Sequence, residues 1–269
     1  MKTLFLLPAI GPQLPLRIAA LALALGISTS AFAQSTLYWG GGQGVTTGPV
    51  SGGSGEWGPF RENWATTANG STYQEWDLYP YSDAVFNNTA GTVTLITPMG
   101  YVGIPVRSLT FGVSGYTLVS TASYDYRGVL FFAGGIGSIN TGSGDQTISV
   151  PIGGNDGLTK SGSGTLTLTN DNNYSGGTTI SEGTLRIGED GGTSGSLGGG
   201  NVVNHGTLQF NRWDNVTFAK YISGTGSLIK DGHGILNLTN SNTYSGGTFV
   251  NRGFLDLGHA TDTLADTGP

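Results

Sequence analysis

The carboxylates Glu182, Glu189, Asp190, Asp214, Asp231 and Asp256 are the residues a polysaccharide lyase or hydrolase would need for acid–base work. Such enzymes require two of them to converge, often beside a calcium ion or a basic group. Here they are spread along the chain, several next to glycine-rich stretches, which is the pattern of solvated turn residues. The histidines are His205, His233 and His259, and none has the i+4 or H-E-x-x-H partner that makes a metal site legible. Asp231-Gly232-His233 comes nearest to a constellation. It stands where an earlier copy of the same sequence pattern has Ser161-Gly162-Ser163, so a turn substitution accounts for it.

Other chemistries fare no better. No Gly-x-Ser-x-Gly sits between a buried strand and a helix, and Gly162-Ser163-Gly164 is expected to be a corner. Gly153-Gly154-Asn155-Asp156-Gly157 has part of the calcium-binding nonapeptide pattern, but one degenerate copy cannot supply ligands from two successive turns. The run Gly198 to Gly200 lacks the Lys-Ser/Thr of a phosphate loop. No catalytic residue, metal ligand or cofactor is therefore assigned, and the chain is expected not to be an enzyme. The aromatics Trp57, Trp64, Tyr73, Trp76, Tyr79 and Tyr81 crowd the N-terminal quarter. They read as the buried content of an N-terminal cap, with a glycan-binding or adhesive surface as the alternative.

The elements that must carry these residues are legible from composition and periodicity. Of 269 residues 48 are glycine, 37% are hydrophobic and only 10% are charged, which is too apolar for disorder and points to a β-rich chain with many turns. The formal charge is -6 and the basic residues are scattered singly, so nucleic acid is excluded as a partner. Cysteine is absent, so no disulfide framework holds the fold. Lys2 and Arg17 precede an apolar run from Ile18 to Ile27, and Ala31-Phe32-Ala33 has the small-residue spacing of a signal-peptidase site. That run is about half of the ~20 apolar residues a spanning helix needs. Residues 1–33 are thus expected to be a cleaved signal peptide, with Gln34 first in the mature chain.

The C-terminal half repeats itself. At an offset of 70, Lys160 falls on Lys230, Leu166 and Leu168 on Leu236 and Leu238, and Asn173-Tyr174-Ser175-Gly176-Gly177-Thr178 on Thr243-Tyr244-Ser245-Gly246-Gly247-Thr248. A shorter Gly-x-Leu unit begins at Gly164, Gly183, Gly206, Gly234 and Gly253, with spacings of 19, 23, 28 and 19. Spacings of this size belong to solenoid coils, and their variation is expected to reflect loops of different length. In Thr165-Leu166-Thr167-Leu168-Thr169 the leucines point to one side and the threonines to the other. One apolar row per short strand cannot be buried alone, so coils must stack. The expected fold is all-β, a right-handed parallel β-helix, with glycine at positive-φ corners, Gly164 among them. Tyr174 and Tyr244 are expected at equivalent, stacked coil positions.

Gly157 to Gly188 and Gly226 to Gly258, with their Gly-Leu-x-Lys, Gly-x-Leu-x-Leu, Asn-x-Tyr-Ser-Gly-Gly-Thr and Gly-x-Leu elements, resemble the autotransporter-associated β-strand repeat of bacterial passenger domains. The second copy departs at Ile229, Ile235 and Phe254. The resemblance implies export past the inner membrane, display at the cell surface or release from a Gram-negative-type bacterium, and a C-terminal outer-membrane translocator barrel as partner in the complete protein. No series of ten-residue alternating segments follows before Pro269, so the chain reads as a fragment lacking that barrel or as a short relative anchored differently. The expected organisation is a signal peptide over 1–33, a Trp/Gly-rich cap with the first strands over 34–90, and a solenoid over 91–269 holding the repeats 157–188 and 226–258. Its expected role is a displayed structural passenger segment. An adhesin or glycan-binding module, engaging surface glycans or host or neighbouring cells, is the alternative, and a polysaccharide-active enzyme is the least favoured reading.

Overall fold

Alternating sequence of this kind leaves a strand only one way to bury its apolar row, which is against the corresponding rows of the strands before and after it. The computed structural model describes residues 35–42, 49–70, 72–76, 78, 81–97, 103–120, 128–135 and 137–258. The signal-peptide assignment and the residues Gln34, Tyr79, His259 and Pro269 lie outside them. Among the described residues every regular element is a β-strand, and the described strands pair in parallel except at the N-terminus, where Trp64–Ala65 pairs antiparallel with both Thr36–Trp39 and Tyr73–Gln74.

The chain winds through three faces in a fixed order. The first face is a ten-stranded sheet of which eight strands are parallel, from Thr36–Trp39 through Asp83–Phe86, Ser108–Phe111, Gly137–Asn140, Leu158–Ser161, Thr178–Ile180 and Val202–Asn204 to Ile222–Ser223. The second face has nine strands, from Gly55–Trp57 to Thr248–Val250, with Thr165–Leu168, Thr184–Ile187, Thr207–Asn211 and Ser227–Asp231 consecutive near its end. The third face carries two three-stranded patches, Ile104–Val106 to Ile152–Gly153 and Val216–Phe218 to Phe254–Leu257. Between those patches the turns at Asn170–Tyr174 and Ser194–Gly199 remain linked to their neighbours, by the Asn173 amide donating to the Ile152 carbonyl at 2.9 Å and by the Asp171 to Ser196 bridge.

Inside, equivalent side chains form columns. Leu166, Leu185, Leu208 and Leu228 lie in register on the second face, beside Leu168, Ile187, Phe210 and Lys230. The apolar members are buried. Each buried leucine stabilises by ~1.5–3 kcal/mol relative to exposure, but only because its neighbours one coil away complete the enclosure. The solenoid expectation therefore holds, with parallel coils and continuous inner columns.

Two details of it need correction. The first concerns the repeat. In the first copy Leu158 lies on the first face and Leu166 on the second, whereas in the second copy their counterparts Leu228 and Leu236 lie on the second and third. The step from Lys160 to Lys230 thus equals three coils plus one face. The spacing of 28 from Gly206 to Gly234 is not a long loop: Gly226 intervenes on the second face, and Gly234 opens a third-face strand. Tyr174 and Tyr244 consequently stand on different faces and do not stack.

The second concerns the corners. Gly162, not Gly164, takes the positive φ, 81°. Gly164 is required for closeness, because a Cβ there would meet the Gly144 carbonyl oxygen at 1.9 Å. A Cβ on Gly162 would in turn meet the Gly142 backbone N and O at 2.6 Å, so both glycines allow the ~4.8 Å spacing of coils and Gly162 supplies the positive φ as well. Thr167, expected to be open to solvent, is only 8% exposed, flanked in register by Thr147 and Arg186.

Candidate functional site

The residue the sequence reading left without a role is the lysine of each repeat. Lys160 replaces a core aliphatic in the first-face column, in register with Ile139 and Ile180, and is fully buried. Its ammonium donates to the carbonyls of Gly162 (2.5 Å), Gly164 (2.7 Å), Glu182 (3.1 Å) and Ser161 (3.2 Å), and to Thr141 Oγ1 at 3.0 Å. A tight corner turns its carbonyls inward, and a cation at the end of a flexible apolar stem satisfies several at once. Burial pushes the amine down to about 8, against the attraction of Glu182 and Asp145, so it keeps its proton at neutral pH. Lys230 does the same one face further on, donating to the carbonyls of Gly232 (2.7 Å), Asp231 (2.8 Å) and Arg252 (3.3 Å). The signal for this role was present in the sequence as a charged residue at an inward position of an alternating strand.

The N-terminal aromatics form a closed cluster. Trp39, Trp57, Trp64 and Trp76 are buried, with ring centroids 4.7 to 5.1 Å apart between neighbours, and Phe86 and Phe111 continue the stack toward the later coils. The antiparallel strands Trp64–Ala65 and Tyr73–Gln74 lie along the edge of Thr36–Trp39, where a further parallel coil would otherwise pair. Trp39 and Trp76 donate their indole N–H groups to the carbonyls of Gly53 and Pro105. Trp57 and Trp64 have no partner for theirs among the described residues. No face of Trp64 or Trp76 is open to a sugar ring.

The carboxylates that looked scattered do not all stay so. Between the second and third faces, four successive coils turn at Glu189–Gly192, Arg212–Asp214, Asp231–Gly234 and Asn251–Gly253. The Asp190 carboxylate accepts from the Trp213 indole N–H at 3.1 Å and pairs with Arg252 at 3.3 Å, while Arg252 also lies 3.7 Å from Asp231. His233 meets the Trp213 ring edge-on, centroids 4.7 Å apart. Arg212 donates to Asp214 and to the carbonyls of Gly195 and Thr193, and its hydrogen bonds hold the Asp214 carboxyl below the usual carboxylate range. Lys230 braces the same corner from within. The Asp231-Gly232-His233 triplet is therefore a turn, as expected, but a turn on a different corner from Ser161-Gly162-Ser163.

The remaining candidates stay apart. Glu182 lies at the corner between the first and second faces, where its carbonyl receives Lys160. Asp256 pairs in register with Asn237 on the third face, and His205 contacts Thr225 Oγ1 at 3.1 Å. Asp156 accepts from the Gly135 amide in a turn. No group of three or more His, Cys, Asp or Glu side chains is placed to hold a metal ion among the described residues.

A parallel three-faced coil built from duplicated modules, each with its own lysine-plugged corner and its own Tyr–Thr hydrogen bond, defines a repeat-built β-solenoid. Residues 158–187 and 228–257 each match the passenger-associated-transport-repeat family model, so the solenoid carries repeats of the autotransporter passenger type. The chain is also 41% identical over 182 residues to the adhesin BmaC autotransporter of Brucella suis biovar 1 (strain 1330). That alignment covers 67% of this chain and 5% of the relative, so the chain spans a small part of that protein's length. No solved structure matches it.

Proposed function

We propose that this solenoid is an exported structural segment of a cell-surface passenger, which holds adhesive surface away from the bacterial envelope and is not an enzyme. The observation that carries the reading is the construction itself: buried columns, plugged corners and closed aromatic rings put nearly all of the distinctive residues into the scaffold. In this reading residues 1–33 direct export, residues 34–90 include a cap that closes the first edge, and a translocator barrel is the partner in the complete protein. The passenger-repeat match and the name of the BmaC relative support surface display in a Gram-negative-type bacterium, and the word adhesin in that name favours an adhesive role over a purely mechanical one.

The test is localisation in native cells with an antibody to residues 158–258. Antigen in the outer-membrane fraction that protease removes from intact cells supports display. Antigen confined to the cytoplasm, or a protease-protected periplasmic pool alone, overturns it.

A further inference from the structure

The chain has five tryptophans, and four of them, Trp39, Trp57, Trp64 and Trp76, are at most 1% exposed. The fifth, Trp213, is 48% exposed. An indole buries up to ~250 Å² in a core, so leaving about half of one in water forgoes stabilisation that the other four obtain. Trp213 is nevertheless held firmly. Its amide donates to the Gly192 carbonyl at 2.9 Å, its indole N–H is fixed by Asp190, and the His233 ring packs against it at an interplanar angle of 80°. The neighbouring Arg212 is largely buried and anchored to the Thr193 and Gly195 carbonyls. The pairing of Arg252 with Asp190 joins side chains 52% and 64% exposed, a class of contact that water and salt screen until it adds little to stability. These contacts fix a geometry more than they stabilise the fold.

We propose that the corner formed by Asp190, Trp213, His233 and Arg252 is a binding site for neutral pyranosides of surface glycans; this deepens the adhesive reading above and rests on it. The indole surface that Trp213 leaves exposed is an apolar platform against which the C–H face of a pyranose stacks. Beside it, the Asp190 carboxylate has acceptor capacity beyond its two present partners, and Arg252 presents further N–H donors, so sugar hydroxyls find both kinds of partner at the rim. The charges around the ring select against anionic sugars. Glu189, Asp190, Asp214 and Asp231 outnumber Arg212, Arg252 and the buried Lys230, and both arginines are already engaged by these carboxylates. Sialylated or sulfated glycans would meet net negative charge. Lys230, below the turn, fixes the Asp231 and Gly232 backbone from inside, so the corner is formed before a ligand arrives. The four N-terminal indoles cannot serve this purpose, since they are at most 1% exposed.

The burial pattern supplies a direct readout, because acrylamide quenching of tryptophan fluorescence reports Trp213 above the four enclosed rings. The full chain is titrated with lactose and mannotriose, and in parallel with sialyllactose, and the quenching constant is followed. A neutral sugar is expected to shield Trp213 saturably, with sialyllactose at least about fivefold weaker. Trp213→Ala should remove the quenchable signal and lower binding on a neutral glycan array about tenfold, while Trp213→Phe keeps part of it. An unchanged thermal midpoint shows that the loss is not unfolding. Equal array binding by Trp213→Ala, or no shielding by any neutral sugar, overturns the site. If shielding is absent yet cells displaying the chain still adhere through it, the glycan proposal fails and the adhesive reading stands; if displayed chain gives no adherence at all, the adhesive reading fails as well.

Discussion

Tyr174 and Tyr244, which occupy the same position in the two repeats, make the same hydrogen bond to the threonine four positions on, Thr178 at 2.7 Å and Thr248 at 2.6 Å, from two different faces of the solenoid. The repeat is thus a local unit whose internal contacts survive transfer to another face. Its surroundings change with the move, since Thr178 belongs to a first-face strand and Thr248 to a second-face strand.

The lysine plug should be the most sensitive polar position. Lys160→Met keeps the apolar stem but leaves the carbonyls of Ser161, Gly162, Gly164 and Glu182 without their shared donor. The expected cost is about 3 kcal/mol, from several weakened acceptors at ~1 kcal/mol each. Urea unfolding measures it, and a midpoint equal to the parent's would remove the plug from the account.

Alkaline stability should pass through a maximum. Burial lowers the Lys160 amine from 10.5 to about 8, so between those values the unfolded chain holds a proton that the folded chain has released, and stability rises with pH. Lys220 and Lys230 shift in the same direction. Burial raises the phenols of Tyr116 and Tyr174 from 10.0 to about 12, so above about pH 10 the unfolded chain loses protons first and stability falls. Unfolding midpoints should therefore climb from pH 8 to near pH 10 and drop beyond it, and Lys160→Met should flatten the climb while leaving the fall.

The two glycines of one corner should both be costly to replace, and Gly164 the more so. Gly162→Ala places a methyl group at a φ of 81° and 2.6 Å from the Gly142 backbone, and should cost more than the ~1 kcal/mol of the conformation alone. Gly164→Val drives atoms into the Gly144 carbonyl and should cost several times more, because relief requires the coils to separate. Thr167→Ser, which keeps the hydroxyl, should change the thermal midpoint little. A loss at Thr167→Ser as large as at either glycine would contradict the corner assignment.

In the N-terminal cluster, Trp64→Ala should destabilise by ~3–5 kcal/mol through the cavity it leaves. Trp64→Phe should cost clearly less, since the Trp64 indole N–H has no partner to lose among the described residues. Chemical denaturation of both variants decides the point, and equal losses would mean that the indole nitrogen is satisfied after all.

Much of the fold was legible in the sequence because solenoid strands announce themselves twice, through alternation within a strand and recurrence between strands. Leu166, Leu185 and Leu208 were placed correctly on one column by their Gly-x-Leu context. What could not be read was the phase. One coil and one face are both short on the scale of the repeat, so the offset between copies does not by itself reveal whether equivalent residues return to the same face. The glycine at Gly226, followed by Ser227 and Leu228, was the clue, since it divides the spacing of 28 into a coil and a face. The corner at Trp213 was hidden for a related reason. Asp190, Trp213, His233 and Arg252 each come from a different coil, and only the stacking of corners brings them together.

That phase shift has a bearing on how such a surface can diversify. A segment duplicated in whole coils would print each outward pattern directly above its original, as a straight stripe. A segment of three coils and one face prints it a third of a turn away, so successive copies would trace a screw around the axis and regain their starting face only after three duplications. Each copy of a corner would then meet new neighbours, and a turn such as Asp231-Gly232-His233 would be free to acquire a use that its sister at Ser161-Gly162-Ser163 never had.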